Sequence, residues 1–572
     1  MLEKIEVDSS KITSYWWVFL ILIGLTSLII KLYFLPLDLP PSYDTIDYFG
    51  YAIEIKNSGE LPKNWPLANN GWPAFVGVLF SILQLEKFFD FVNTFRILSV
   101  IVSVITIIPI YFLCSKFFGR YLGLFGAALF AFEPKIIQNS TNGGIESMYM
   151  LVCSLVILLL FQKNYKTIAI AFVLVGVMSH LRYEAFIMII PITIIYFLTF
   201  RKKINYKKNY LLCISLFLII LVPLLITNYY TTGEDGLFNQ FFSAINRSSV
   251  QFIEGQDVYK ELAEMESQES SYYLINGAWN FIKFIGILII PVFIFLIPYG
   301  IFAIFKKRNS RKNIIIILSS FLFLAPIYAY INGFNDIRYL FILYPIFCFV
   351  SLFTINKIIP WIKKPSIFLI VIIIILILFG IYSNLDYKNE IEYSKESFII
   401  SQNVVNIATV YNEFSPEGRF IKAAEMENKW PTSPIASHSG HIIKDRLLIK
   451  YDDSETLQEF IQKSRQIVNN QEGTHPAHRF SFTNSSGTYI LDPMFYWSDG
   501  TKKEITNGLS HLIVDNKTER PKFIQDIFQN ENKYTYLKKV FDSKDFELTY
   551  KVKIFEIDHE EFDKNIKSNL GV

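Results

Sequence analysis

Two carboxylates three residues apart, Asp44 and Asp47, stand in the stretch Leu39-Pro40-Pro41-Ser42-Tyr43-Asp44-Thr45-Ile46-Asp47-Tyr48. If a helix starts here, that spacing puts both on one face. A carboxylate so placed can take the proton of an attacking hydroxyl or amine. The bland account is a solvated helix start, where Asp is favoured by the backbone dipole. Further ionisable residues recur at the edges of apolar runs: Arg96, Glu133, Glu146, His180, Arg182, Glu184, Arg247 and Arg338. Snorkelling explains any single one. Several on one side, opposite a loop with carboxylates, suggest a polar cavity in which arginines hold phosphate oxygens.

Other chemistry-bearing residues are less specific. Six of the seven histidines follow residue 385, including the pairs His438/His441 and His475/His478. Imidazole suits zinc, yet both pairs sit among Ser, Gly and Pro, where loop histidines are the ordinary explanation. Trp430, Tyr496 and Trp497 could stack on sugar rings or simply fill a core. The four cysteines, Cys114, Cys153, Cys213 and Cys348, all lie in apolar runs, which argues against a disulfide framework or a cysteine metal site.

The elements that must position these residues follow from composition. Of 572 residues 52% are hydrophobic and 18% charged, with 53 Phe and 33 Tyr, and the mean hydropathy is +0.33. Disorder needs the opposite balance. A formal charge of +3 is too small for a nucleic-acid partner. Runs of apolar residues long enough to cross hydrocarbon predict about eleven spans, near 15–35, 93–113, 121–138, 146–161, 167–181, 183–200, 209–228, 279–304, 313–331, 339–356 and 365–384. The shorter run 72–85, opened by Gly71-Trp72-Pro73, reads as an interfacial or re-entrant helix. The first span is too long for a signal peptide and no small-residue cleavage site follows it, so it is expected to stay.

Basic loops at 201–208, 306–312 and 357–364 are expected on the cytoplasmic side together with the N-terminus. That arrangement makes 36–92 a long first outer loop and puts the C-terminus outside. The Asn-x-Ser/Thr tripeptides at Asn139, Asn246, Asn484 and Asn516 then all fall on the outer side, a mild agreement. Hydropathy drops after Asn384. We expect a multi-pass membrane domain, 1–384, and a soluble extracytoplasmic α/β domain, 385–572. In the latter, 509–515 and 548–557 alternate like strands, and 454–469 reads as a helix with Ser454 as N-cap.

The residues of the first loop resemble a known group. Asp44-x-x-x-Tyr48-x-x-x-Ala52, followed by Gly59-x-Leu61-Pro62 and Trp65, is similar to the first-loop signature of the GT-C membrane glycosyltransferases that use lipid-phosphate sugars. The protein O-mannosyltransferases and aminoarabinose transferases, including archaeal-type members, belong to this group. Phe95-Arg96-Ile97-Leu98-Ser99 resembles the arginine motif of their second membrane helix. Glu133-Pro134 and the 139–146 turn stand where their second outer loop stands, and Arg338-Tyr339 with Pro345 resembles a late Arg-Tyr feature. The resemblance spans roughly 15–350. One departure is Thr45, where those enzymes usually have Glu directly after the Asp. This leaves open whether Asp47 shares the role.

The resemblance implies a GT-C fold and a catalytic base at Asp44. The donor is a polyprenyl- or dolichyl-phosphate monosaccharide, and the acceptor a protein, glycan or lipid at the outer membrane face. Arg96, Arg338 and Arg182, in that order, are the candidates for holding the donor phosphate. Tyr48, Glu133, Glu146 and His180 are candidate supporting residues. The donor already carries a good leaving group, so a carboxylate and cations suffice and no cofactor is required; a divalent cation, Mg2+ or Mn2+, is the one addition the wider group suggests. Two other readings stand beside it. A transporter or flippase would share the hydropathy, but internal repeats are missing. An oligosaccharyltransferase-like enzyme would need metal-binding carboxylates, and Tyr496-Trp497-Ser498-Asp499-Gly500 only superficially resembles the acceptor-binding motif of those enzymes.

Overall fold

The computed structural model describes residues 15–396 apart from 40, 42–43, 63–66, 68, 86, 163, 234, 236–269, 307–309, 332–335 and 393. Beyond these it describes 399, 456, 458–459, 480–484, 487–491, 509–516 and 522–570. Arg247, Asn246, both His-x-x-His pairs, Trp430, Tyr496, Trp497 and Ser454 lie outside the described residues.

The first helices are α1 (Trp16–Tyr33), α2 (Asp44–Ser58), α3 (Gly71–Ile82), α4 (Phe88–Phe118), α5 (Arg120–Ala131), α6 (Pro134–Thr141), α7 (Glu146–Leu160) and α8 (Tyr165–Leu181). After a 3-10 turn at Tyr183–Met188 come α9 (Ile189–Phe200) and α10 (Tyr206–Thr232), then α11 (Ser270–Ile289) and α12 (Ile297–Lys306). The bundle ends with α13 (Ser310–Leu322), α14 (Leu324–Ile331), a 3-10 turn at Ile337–Leu343, α15 (Tyr344–Ile358) and α16 (Pro365–Tyr382).

Each expected span coincides with a helix or helix pair, but lengths differ. Among the described residues seven helical stretches are long and apolar enough to cross a membrane. An eighth results if the pair around Pro291, bent by 102°, is one span. The three remaining expected spans are α5, α7 and α8, of 12, 15 and 17 residues, shorter than the roughly 20 that a straight crossing needs. Glycine explains how α5 fits inside. A Cβ on Gly123 would stand 2.7 Å from Ser115, and one on Gly126 would meet Cys114 and Leu352, so only glycine lets α4 and α15 close around it. The 72–85 run is helical as α3, and Gly77 allows it to lie directly on α2.

Burial separates the inner from the outer helices. The Ile337–Trp361 stretch is 83% buried, whereas Pro365–Glu396 is 17% buried and shows Ile367, Ile370, Val371, Ile374, Ile375 and Leu378 on its surface. An apolar surface of that extent is stable only against lipid. One charge lies inside the first span: Lys31 is fully buried and donates to Ser103 Oγ on α4 at 2.7 Å.

Toward the C-terminus stand β1 (Phe480–Asn484), β2 (Gly487–Leu491), β3 (Leu509–Asp515), α17 (Lys522–Gln529), β4 (Leu537–Asp542), β5 (Val552–Ile557) and α18 (His559–Leu570). The strands form one antiparallel sheet in the order β1-β2-β3-β5-β4. The expected 509–515 strand is β3; the second begins at Val552 rather than 548, because Ser543–Phe546 is a 3-10 turn closed by Glu547 with φ of 56°. Phe555 packs beneath α17 and α18 with Leu512, Val514, Phe523 and Phe562, while its neighbour Ile554 joins Phe541, Leu548 and Val552. Further up the chain, Thr456 and Glu459 exchange reciprocal bonds, so a capping box starts two residues after Ser454. Glu396, at the end of the last helical stretch, holds the sheet region: its carboxylate accepts from Thr549 N, Thr549 Oγ1 and Tyr550 N.

Candidate active site

Asp44 opens α2, and Asp47 shares its first turn. Both carboxylates are exposed. Asp44 Oδ2 lies 3.0 Å from Arg338 Nη2. Arg338 sits in the 3-10 turn before α15, and Asp336 holds it there twice over: one carboxylate oxygen caps the turn by accepting from Arg338 N at 2.9 Å, and the other accepts from Nε at 2.7 Å. The guanidinium fork is thereby aimed at the start of α2.

Arg182 ends α8 in an extended conformation, which turns the chain into the following 3-10 segment. It is buried and held from two sides, by Glu184 at 2.6 Å and Glu146 at 3.5 Å. Its guanidinium also lies 4.6 Å from the centre of the Tyr339 ring, so Arg182 touches the residue that follows Arg338. Glu146 is buried at the first turn of α7, where unpaired amide groups favour its charge. Its approach depends on the glycine pair before it. Gly143 has φ of 83°, and a Cβ on Gly144 would stand 2.4 Å from Glu146 Oε2. Trp72 Nε1 fixes this turn by donating to the Gly143 carbonyl.

Tyr48, one helical turn beyond Asp44, lies in the field of Glu146, Arg182, Asp44 and Arg338. Burial, seconded by the nearby Glu146, pushes its phenol well above the usual range, so it remains a neutral hydroxyl. Asp44, Tyr48, Glu146, Arg182 and Arg338 thus belong to one cluster, drawn from four separate segments of the chain. Asp336, Glu184 and Tyr339 complete the cluster as partners of the two arginines. The Asp-x-Arg spacing of 336–338 is a capping signal that could have found the first.

Three expected members lie elsewhere. Arg96, first choice for the phosphate, is buried in α4 and donates from Nη1 to the carbonyls of Pro36 and Leu39. With Asn93, which exchanges bonds with Asp38, it clasps the start of the loop that follows α1. The local reason is geometry: a loop leaving α1 with bare carbonyls needs donors, and Arg96 faces them. Glu133 caps the approach to α6 and faces Tyr344 OH at 3.4 Å. His180 turns its imidazole to the Ile220 carbonyl on α10. Asn139 is also buried, inside α6, so this tripeptide is no index of outer-face glycosylation.

Chemically, the cluster combines an exposed carboxylate at a helix start with two arginines already matched to acids. Counting Asp44, Asp336, Glu146 and Glu184 against Arg182 and Arg338, acids outnumber bases. Even so, no group of three or more His, Cys, Asp or Glu side chains among the described residues stands close enough to hold a metal ion. Glu146 and Glu184 are spread by the guanidinium between them, so no step is assigned to a divalent cation.

Residues 86–226 match the family model described as dolichyl-phosphate-mannose-protein mannosyltransferase. That segment includes Arg96, Glu133, Glu146, His180 and Arg182, and the match agrees with the GT-C resemblance read from the motifs. A comparison with the curated proteins finds no match. Among solved structures, the chain is similar to the Archaeoglobus fulgidus oligosaccharyltransferase in complex with Zn and sulfate, at 10% identity and a TM-score of 0.48, over 94% of this chain and 88% of that one. The same organism's AglB with an inhibitory peptide and a dolichol-phosphate gives 11% identity and 0.46, over 95% and 88%. ArnT from Cupriavidus metallidurans, bound to undecaprenyl phosphate, gives 12% and 0.41, over 72% and 68%.

Proposed function

We propose that the chain is a membrane glycosyltransferase of the GT-C type that moves a monosaccharide from a polyprenyl- or dolichyl-phosphate carrier to a protein, glycan or lipid acceptor at the outer membrane face. The observation that carries this reading is the 3.0 Å approach of Asp44 to Arg338, beside Tyr48 and Arg182. A transporter has no need of a base and a phosphate-binding cation in contact. The family match over 86–226 supports the same class.

In this reading Arg338 is the leading phosphate ligand, Arg182 the second, and Arg96 a loop anchor. The donor phosphate competes with Asp44 for the Arg338 fork. Its binding frees the carboxylate for the acceptor. The acceptor oxygen or nitrogen then attacks the anomeric carbon, the bond from that carbon to the phosphate oxygen breaks, and the acceptor's proton passes to Asp44. The carrier phosphate leaves with the electron pair, and the two arginines stabilise its charge. One in-line displacement inverts the anomeric centre. Tyr48, kept neutral, can donate a hydrogen bond to the phosphate or sugar without adding charge.

The test is transfer of labelled sugar from dolichyl-phosphate mannose and related donors to protein, glycan and lipid fractions. Asp44→Asn, with insertion and folding confirmed, is expected to lower the rate by about 10²–10⁴-fold. Full activity in that variant removes Asp44 from the mechanism. A dead Asp47→Asn beside an active Asp44→Asn moves the base one helical turn along.

A further inference from the structure

Beside the cluster, two buried acceptor atoms have no donor among the described residues. Asn70, 2% exposed, precedes α3; its Nδ2 donates to Asn228 Oδ1 at 2.9 Å and toward Tyr51 OH at 3.4 Å, while its Oδ1 has no partner. With the amide turned the other way, two side-chain oxygens would face each other. Glu184 uses Oε1 for Arg182, and its buried Oε2 likewise has no partner. The two residues are neighbours through their own neighbours, because Tyr183 N donates to Asn69 Oδ1 at 3.1 Å.

A buried acceptor without a donor is costly and calls for an explanation. What these positions lack is specific. Phosphate oxygens bring no hydrogen to donate, and an isoprenoid chain brings none. A group carrying several hydroxyls does. The place also fits: Asp44, Tyr48 and Tyr51 follow one another along one side of α2, so Tyr51 lies roughly 10 Å beyond Asp44 at 1.5 Å per residue.

We infer that Asn70 and Glu184 form a subsite that accepts hydrogen bonds from hydroxyls of the transferred sugar, with Tyr51 and Asn228 holding Asn70 in place. This rests on the transferase reading above. Arg338 and Arg182 then take the phosphate, and the subsite discriminates between sugars.

The experiment measures binding rather than turnover, using the purified full chain in micelles. Probes are dolichyl phosphate, dolichyl-phosphate mannose, dolichyl-phosphate glucose and single-deoxy analogues of the tighter sugar lipid. The native chain is expected to bind one sugar lipid at least about tenfold more tightly than dolichyl phosphate, and one deoxy analogue to lose about ten- to hundredfold. Asn70→Leu should erase most of that difference while leaving dolichyl phosphate binding in place. Equal binding of all probes by the native chain overturns the subsite, as does a full sugar preference in Asn70→Leu. Where that variant fails to fold, the deoxy series on the native chain decides alone: no hydroxyl deletion with an effect means no subsite. Discriminating binding without transfer to any acceptor would sink the transferase reading and leave the subsite standing. Transfer with indifferent binding would do the reverse.

Discussion

At the scale of single residues, the cluster works through forks and caps rather than through bulk charge. Asp336 holds Arg338 at its backbone N, its Nε and its Nη2, and Asp44 shares that Nη2. Lysine is a point charge and cannot reproduce that fork. Arg338→Lys is therefore expected to raise KM for the lipid-phosphate donor by about tenfold or more, measured as initial rate against donor concentration. An unchanged KM would detach Arg338 from the phosphate. Arg96 teaches the converse. Its motif was legible, yet its partners are backbone carbonyls at Pro36 and Leu39, and no pattern of residue types announces a carbonyl left bare by a loop.

At the scale of elements, close helix approach rests on glycine. A Cβ on Gly126 would meet Cys114 and Leu352, so Gly126→Val is expected to destabilise the chain by about 1–3 kcal/mol through overpacking, measured as a lower melting temperature in micelles; an unchanged melting temperature would separate α5 from α4 and α15. Hydropathy made most of these helices legible, since 18-residue apolar runs have one explanation. The helices α5, α7 and α8 are shorter than the roughly 20 residues of a straight crossing, and apolarity alone does not fix where a helix ends. β3 was legible from alternation. β1, β2 and β4 were not: β1 and β2 are five residues each, with Ser, Thr, Asn and Gly among them, and Lys538-Lys539 breaks the apolar pattern of β4. Lys31 escaped notice for a similar reason: one cation inside a run changes the average little, yet its burial against Ser103 is a tertiary fact.

At the scale of the whole molecule, we propose that the basic loops set the orientation and that the cluster takes its side from it. Lys202, Lys203, Lys207 and Lys208 stand at one end of α9 and α10, while Asp44, Arg182 and Arg338 stand at helix entries that the loop charges assign to the other. We expect a C-terminal tag to be cleaved by protease added to right-side-out vesicles and protected in inverted ones; the opposite pattern would put the cluster on the cytoplasmic side. The sheet region should travel with the bundle, since Glu396 grips Thr549 and Tyr550. The ion pair of Asp44 with Arg338 also joins residues 294 positions apart. At about 5–20 residues per second of synthesis, Asp44 waits roughly 15–60 s for its partner to emerge from the ribosome. Through that interval the first outer loop is in place while the cation it answers to does not yet exist. On the proposed mechanism the chain is thus born without its phosphate clamp, and the cluster closes only once Arg338, three-fifths of the way along the chain, has emerged.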